Sequence, residues 1–160
     1  MSKAPSPHRP RALAPIERVP GVSYGVLDEL LGYALRRAQV AIFLSFHRAT
    51  RGLEITPPRF SALVIIGANP GLSQSTLGAV LGIARSGAML LADWMVDRRL
   101  VERRRRKDDA RAWGLHLTRR GAELVEKMRR SVAQAERHQA ARLGASERRE
   151  LLRLLDKLAG

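Results

Sequence analysis

The 160-residue chain contains no cysteine. That absence excludes disulfides, thiolate nucleophiles and Cys-ligated metal centres together. Aromatic residues make up only 4% of the chain, and acidic side chains are few, with 15 Asp and Glu against 29 Lys and Arg. No apolar run approaches the roughly 20 residues that a membrane-spanning helix needs. The basic N-terminus is not followed by the apolar segment of a secretory signal, so a cytoplasmic protein is expected, with no membrane partner. The histidines His8, His47, His116 and His138 are scattered, and none shares a metal-ligand spacing with another His or an acid. A Gly-x-Ser-x-Gly elbow and a Gly-rich phosphate loop are also missing. Asp93 and Asp97 share a helical face, but each neighbours Arg98 or Arg99, which favours solvated ion pairs over a catalytic dyad. No catalytic residue, metal or cofactor is expected, and the chain does not read as an enzyme.

What is present in excess is positive charge and helix-forming residues. A hydrophobic fraction of 45% suits a folded chain. Ala, Leu and Arg dominate, and they lose little side-chain freedom in a helix. The formal net charge of +14 costs self-repulsion in a compact state and so points to a polyanionic partner, either nucleic acid or an anionic membrane surface.

Residues 1–22 carry Pro5, Pro7, Pro10, Pro15 and Pro20 among Lys3, Arg9, Arg11 and Arg18. Proline blocks helix and sheet alike, so this is an extended or disordered arm. From Tyr24 to about Thr50 the periodicity predicts one long helix, with Leu27, Leu31, Ala34, Ala38, Ala41 and Leu44 at three- and four-residue spacing. Val40, Phe43 and Phe46 lie on other faces, and a helix apolar nearly all round is covered on more than one side. In so short a chain a second subunit is expected to supply the cover.

Thr56-Pro57 reads as an N-cap followed by Pro at the first helical position. The helix it opens stops at Asn69-Pro70-Gly71, a type II turn by composition. Ser73 is placed to cap a short helix from Gln74 to Leu81, ending at Gly82, and Arg85 to about Arg99 resumes helical periodicity. The period then changes to that of strands. Leu100-Val101, the basic run Arg103 to Lys107, a turn at Asp108-Asp109, and Trp113, Leu115 and Leu117 in alternation predict a β-hairpin. Thr118 is placed to cap a charged helix to about Leu143, and Ser146 a last helix with the apolar stripe Leu151, Leu152, Leu154, Leu155 and Leu158.

The centre of this order fits helix-turn-helix geometry. Gly78 supplies the small residue that steeply crossing helices need, and Gly82 supplies the turn. Leu100-Val101-Glu102-Arg103, then Asp109-Ala110-Arg111, five residues, Leu117-Thr118 and Gly121 resemble the wing pattern of the multiple-antibiotic-resistance regulator (MarR) family of transcription regulators. Arg99 departs from it, standing where the family often has Gly. The resemblance runs from about Leu27 to the C-terminus. It implies a mainly α fold with a small β-wing. Residues 56–117 would form the winged helix-turn-helix module, and residues 23–55 and 118–160 a helical dimerisation region. It further implies a homodimer on palindromic double-stranded DNA, usually acting as a repressor, with Arg85 to Arg99 in the major groove and the wing at a minor groove. The DNA-contact candidates are Ser73, Gln74, Ser75, Arg85, Ser86, Met89, Arg103, Arg105, Lys107, Asp109 and Arg111. Arg111 at a hairpin tip suits a narrow minor groove, with Asp109 orienting its guanidinium. Arg85 and Ser86 can read base edges, whereas Gly87, Ala88 and Met89 offer only close approach or a thymine-methyl contact.

Within the family, Leu31-Gly32-Tyr33-Ala34-Leu35-Arg36-Arg37 and Gly67 to Ser73 resemble regulators of aromatic acid breakdown, especially those for hydroxycinnamates. This implies a small effector, an aromatic acid or its CoA thioester. A pocket between the first helix and the winged module would be lined by Phe43, Phe46 and Phe60, with Arg36, Arg37, His47, Arg48 and Arg51 available for carboxylate or CoA phosphates. An architectural DNA binder without an effector and a membrane-surface protein are the alternatives. The first would show little sequence preference, and the second would need a basic amphipathic helix with bulky apolar residues opposite.

Overall fold

The computed structural model describes residues 14–105 and 112–160. The expected turn at Asp108-Asp109 and the candidates Lys107, Asp109 and Arg111 lie outside them. The elements are a 3-10 turn at Gly25–Asp28, α1 (Leu31–Ala49), α2 (Pro57–Ala68), α3 (Gln74–Val80), α4 (Arg85–Asp97), β1 (Val101–Arg105), β2 (Trp113–Leu117), α5 (Arg119–Gln139), a 3-10 turn at Ala140–Arg142, and α6 (Ala145–Ala159). The class is mainly helical with a two-stranded wing, as expected. The chain divides into two compact units, 1–45 and 46–160.

In the first unit the long helix starts later than its periodicity suggests. Gly25 adopts φ +53°, outside the right-handed helical region, so Gly25–Asp28 forms a separate 3-10 turn and α1 begins only at Leu31. The described part of the arm has neither helix nor strand, as its prolines dictate, yet it is tied down. The Val19 N–H donates to Tyr24 Oη at 3.0 Å, and Arg18 lies 5.3 Å from the Tyr24 ring centre and pairs with Asp28. Arg37 Nε reaches the Ile16 carbonyl at 3.5 Å.

The second unit holds the main core. Leu63 and Ile66 from α2, Leu77 from α3, Met95 from α4, Val101 and Leu115 from the strands and Met128 from α5 are all buried. Each such side chain contributes about 1.5–3 kcal/mol when fully removed from water, an upper bound for a compact denatured state. The core therefore welds α2, α3, α4, α5 and the wing into one body.

Local chemistry explains the boundaries. Pro57 and Pro58 open α2 and carry no N–H, and Thr56, although extended, makes no side-chain cap bond; the expected cap is therefore one of backbone shape alone. The turn after α2 closes with the Leu72 N–H on the Asn69 carbonyl at 3.1 Å, with Gly71 at φ +89° as a type II turn requires. The Leu72 carbonyl accepts from Leu115 N–H, and Leu115 returns its carbonyl to Gly71 N–H, both at 2.9 Å, so the loop before α3 is bonded to β2. In the hairpin, Val101 faces Leu117, Arg103 faces Leu115 and Arg105 faces Trp113.

Three helix ends differ from the periodicity. α4 stops at Asp97, and Arg99 takes φ +56°, the conformation glycine adopts most cheaply. α5 yields to a 3-10 turn after Gln139. α6 is capped two residues earlier than Ser146: the Gly144 N–H donates to Glu147 Oε2 at 2.6 Å, placing Ser146 inside the helix.

Candidate nucleic-acid interface

The helix-turn-helix is set by small residues. The Ser73 hydroxyl accepts from Thr76 N–H at 3.1 Å, fixing the start of α3. Gly78 is buried, and a Cβ there would lie 3.0 Å from Ala88 Cβ, so α3 and α4 pack nearly backbone to backbone. Gly82 at φ +62° then lets the chain turn through 113° between the two helices, within the range of helix-turn-helix pairs.

That crossing decides which face of α4 is free. Ala88, Ala92 and Met95 are fully buried, spaced to make one stripe. Arg85, Ser86 and Met89 stand on the exposed side, with Leu90 beside them at 67% exposure. Sequence reading missed Leu90, because an apolar residue in a helix is counted as core by default; its position one residue past Met89 and two past buried Ala88 was the signal. No side chain caps α4 at Ala84, so no cap hydrogen bond from that position satisfies its first-turn N–H groups.

The remaining candidates separate into two groups. Ser75 is exposed. Ser73 is committed to its cap, in contact with Ser75 Oγ at 2.9 Å and Thr76 Oγ1 at 2.7 Å. Arg103, expected to meet phosphate, makes ties within the module. It donates to Asp93 Oδ1 at 2.5 Å and to Gln74 Oε1 at 3.4 Å, joining β1 to α4 and α3. This also revises Asp93, whose partner is the wing arginine and neither Arg98 nor Arg99. Arg105 lies 4.1 Å from the centre of the Trp113 ring.

The far end of α4 is clamped by charge and an aromatic ring. Arg59 and Arg98 sit 3.8 and 4.2 Å from the Trp94 ring centre. Arg98 also donates to Glu54 Oε2 at 2.7 Å, and Arg59 donates to the Glu54 carbonyl at 2.8 Å. Hydrogen bonding and the charge of Arg98 hold the Glu54 carboxyl below the usual carboxylate range. Burial, then the neighbouring Arg98 charge, lowers Arg59 from its ordinary value.

A second concavity lies within the same unit. Between α2 and α5 there is an open cleft of about 530 Å³, lined by Phe60, Val64, Val125, Arg129 and Val132 among others. Its volume falls in the range of small-molecule sites. Arg129 bonds Glu126 through Nε at 3.1 Å and Nη2 at 3.2 Å, which lowers the Glu126 carboxyl and raises the arginine. Of the expected effector residues, Phe60 lines this cleft. Phe46 is 7% exposed and belongs to the core, its ring centre 5.8 Å from that of Phe60. Arg36 and His47 are exposed and Phe43 is half-buried, while Arg37 is engaged by Ile16 and lies 5.9 Å from the Tyr33 ring centre.

A helix, a short capped helix, a 113° turn, a second helix with one free face and a β-hairpin define a winged helix-turn-helix protein. The model of the MarR family matches residues 53–112. A protein of Thauera aromatica assigned as transcriptional regulator of the hcr operon is 32% identical over 136 residues, covering 84% of this chain and 82% of that protein. The transcriptional repressor CouR bound to a 23-mer DNA duplex superposes with a TM-score of 0.81 at 35% identity, over 87% of this chain and 99% of that one. CouR bound to p-coumaroyl-CoA gives 0.78 at 34% identity, over 86% and 97%. This chain belongs to the MarR family of transcription regulators.

Proposed function

We propose that the protein is a ligand-responsive repressor that binds a palindromic operator as a homodimer and is released by an aromatic acid or its CoA thioester. The exposed face of α4, carrying Arg85, Ser86, Met89 and Leu90, is the observation that carries the DNA reading. Its flanking wing strand adds exposed Arg104 and Arg105. The dimer is supported by apolar side chains that a single chain leaves in water: Leu31, Leu35 and Ile42 on α1, and all five leucines of the α6 stripe. Exposed apolar surface of that kind marks association. Two modules related by a two-fold axis would present two α4 helices to successive major grooves.

The effector reading is supported by the likeness to CouR with p-coumaroyl-CoA and by the α2–α5 cleft. Phe60, Val64 and Val132 suit an aromatic ring, and Arg129 suits a carboxylate or a CoA phosphate. Release requires that the effector bind the DNA-incompetent form more tightly.

The test is to select duplexes with the protein from a randomised pool, then titrate the complex with p-coumaroyl-CoA, free p-coumaric acid and CoA alone. The expected outcome is enrichment of a two-fold-symmetric sequence, released by the thioester. Binding without enrichment would favour an architectural protein. An enriched duplex released by none of the three would remove the aromatic effector.

A further inference from the structure

The wing carries an aromatic residue that the core does not use. Alternation along the hairpin places Val101, Arg103 and Arg105 of β1 on one face with Leu117, Leu115 and Trp113 of β2, in the register Val101–Leu117, Arg103–Leu115 and Arg105–Trp113. The first pairs belong to the body: Val101 and Leu115 are buried, and Arg103 is bonded to Asp93 of α4 and Gln74 of α3. The face is therefore the one turned toward the helix-turn-helix. Among the described residues the Arg105–Trp113 pair is its outermost step, one pair beyond the last that the body covers.

Trp113 is 50% exposed, although an indole is among the largest apolar surfaces a protein can bury. Arg105 lies over its ring at 4.1 Å, which orients the guanidinium and shields one side of the indole. A flat apolar ring beside a held cation complements the surface of a nucleic-acid strand, where apolar deoxyribose alternates with phosphate. Arg104, exposed on the opposite face of β1, is paired with Glu102 of the same strand, which leaves Arg105 as the cation beside the ring.

We infer that Trp113 packs directly against the deoxyribose backbone of bound duplex DNA, with Arg105 meeting the adjacent phosphate. The pair fixes how deeply the wing seats. This rests on the proposed DNA-binding function and adds to it an apolar contact from the wing strand itself.

The experiment uses the full-length protein and a duplex selected from a randomised pool. If the unmodified protein enriches and binds no duplex, the DNA reading itself fails, before Trp113 is tested. Given binding, tryptophan emission is followed as duplex is added, alongside Trp113→Phe, which keeps a ring but leaves only Trp94 to emit, and Trp113→Ala. Trp94 is half-buried and already in contact with Arg59 and Arg98, so its signal should stay constant. Trp113 emission should be quenched or shifted on binding, and Trp113→Ala should bind about tenfold more weakly while Trp113→Phe loses little. Because no charge is removed, the salt dependence of Trp113→Ala should keep its slope, whereas Arg105→Ala should lower it by about one. An unchanged Trp113 emission overturns the inference whatever the affinities. Equal affinity of Trp113→Ala, or loss in it of about one in salt slope, does the same, the latter because the ring would then act only through Arg105.

Discussion

Replacing Gly121 by alanine tests the joint between the wing and the long helix. Gly121 lies in the first turn of α5, and a Cβ built there would stand 2.0 Å from the Leu100 carbonyl oxygen and 2.9 Å from its carbon. Ordinary contact begins near 3.4 Å, so backbone, and not a flexible side chain, would have to move by more than an ångström. The same carbonyl accepts from Thr118 N–H at 3.0 Å, and Thr118 Oγ1 donates to the Arg99 carbonyl at 2.7 Å while accepting from Gly121 N–H at 3.0 Å. Overpacking costs about 1–3 kcal/mol, and one or two strained hydrogen bonds add about 0.5–1.5 kcal/mol each. Against this stands a gain of about 1 kcal/mol from replacing glycine inside a helix. The net is a loss of about 2–3 kcal/mol, or on the order of 5–10 °C in Tm for a chain of this size. Gly87→Ala is the matched control. Its Cβ would meet only Ile83 side-chain carbons at 3.9 Å, so the helix gain should appear alone, about 0.5–1 kcal/mol in favour of folding. Thermal melts followed by circular dichroism at one fixed protein concentration read both. If Gly121→Ala melted with or above the unmodified protein, the close approach of α5 to Leu100 would be refuted.

Arg99→Gly should stabilise by about 1 kcal/mol, since a non-glycine residue at φ +56° is held in a conformation costing about 1–2 kcal/mol, partly offset by the freedom glycine gains unfolded; urea denaturation checks it. Arg103→Ala and Asp93→Ala should each weaken operator binding, and the double variant should be no worse than the weaker single one, because both remove one tie; anisotropy with labelled duplex gives the cycle. Glu54 has its pKa lowered in the fold, so its contribution is complete above the usual carboxylate range and is lost as pH falls through the lowered value. Glu54→Gln should accordingly flatten the acid side of a stability–pH profile, with only a small effect near neutrality, as the group is exposed.

Much of this fold was legible in the sequence because its signals are local. Ser73, Thr118 and the Asn69-Pro70-Gly71 turn act within three or four residues, and each is found where composition placed it. Helix starts were less legible where backbone conformation overrode periodicity, as at Gly25, or where a side chain three residues on did the capping, as Glu147 does for Gly144. The site was half legible. Residue type and order identified α4 and the wing, but Arg103 looked like any member of a basic run until the fold set Asp93 and Gln74 beside it. Phe46 shows the same limit from the other side: an aromatic residue suited to a ligand pocket was placed in the core by packing across elements.

If two copies of this chain present paired α4 helices to one operator, a hydroxyl-radical footprint on a selected duplex, read with the mass of the complex, will record both. The expected footprint has two protected segments related by two-fold symmetry, centred about one helical turn apart, under a protein mass twice 17.8 kDa. A single protected segment under one 17.8 kDa chain, or uniform protection along the duplex, would contradict it.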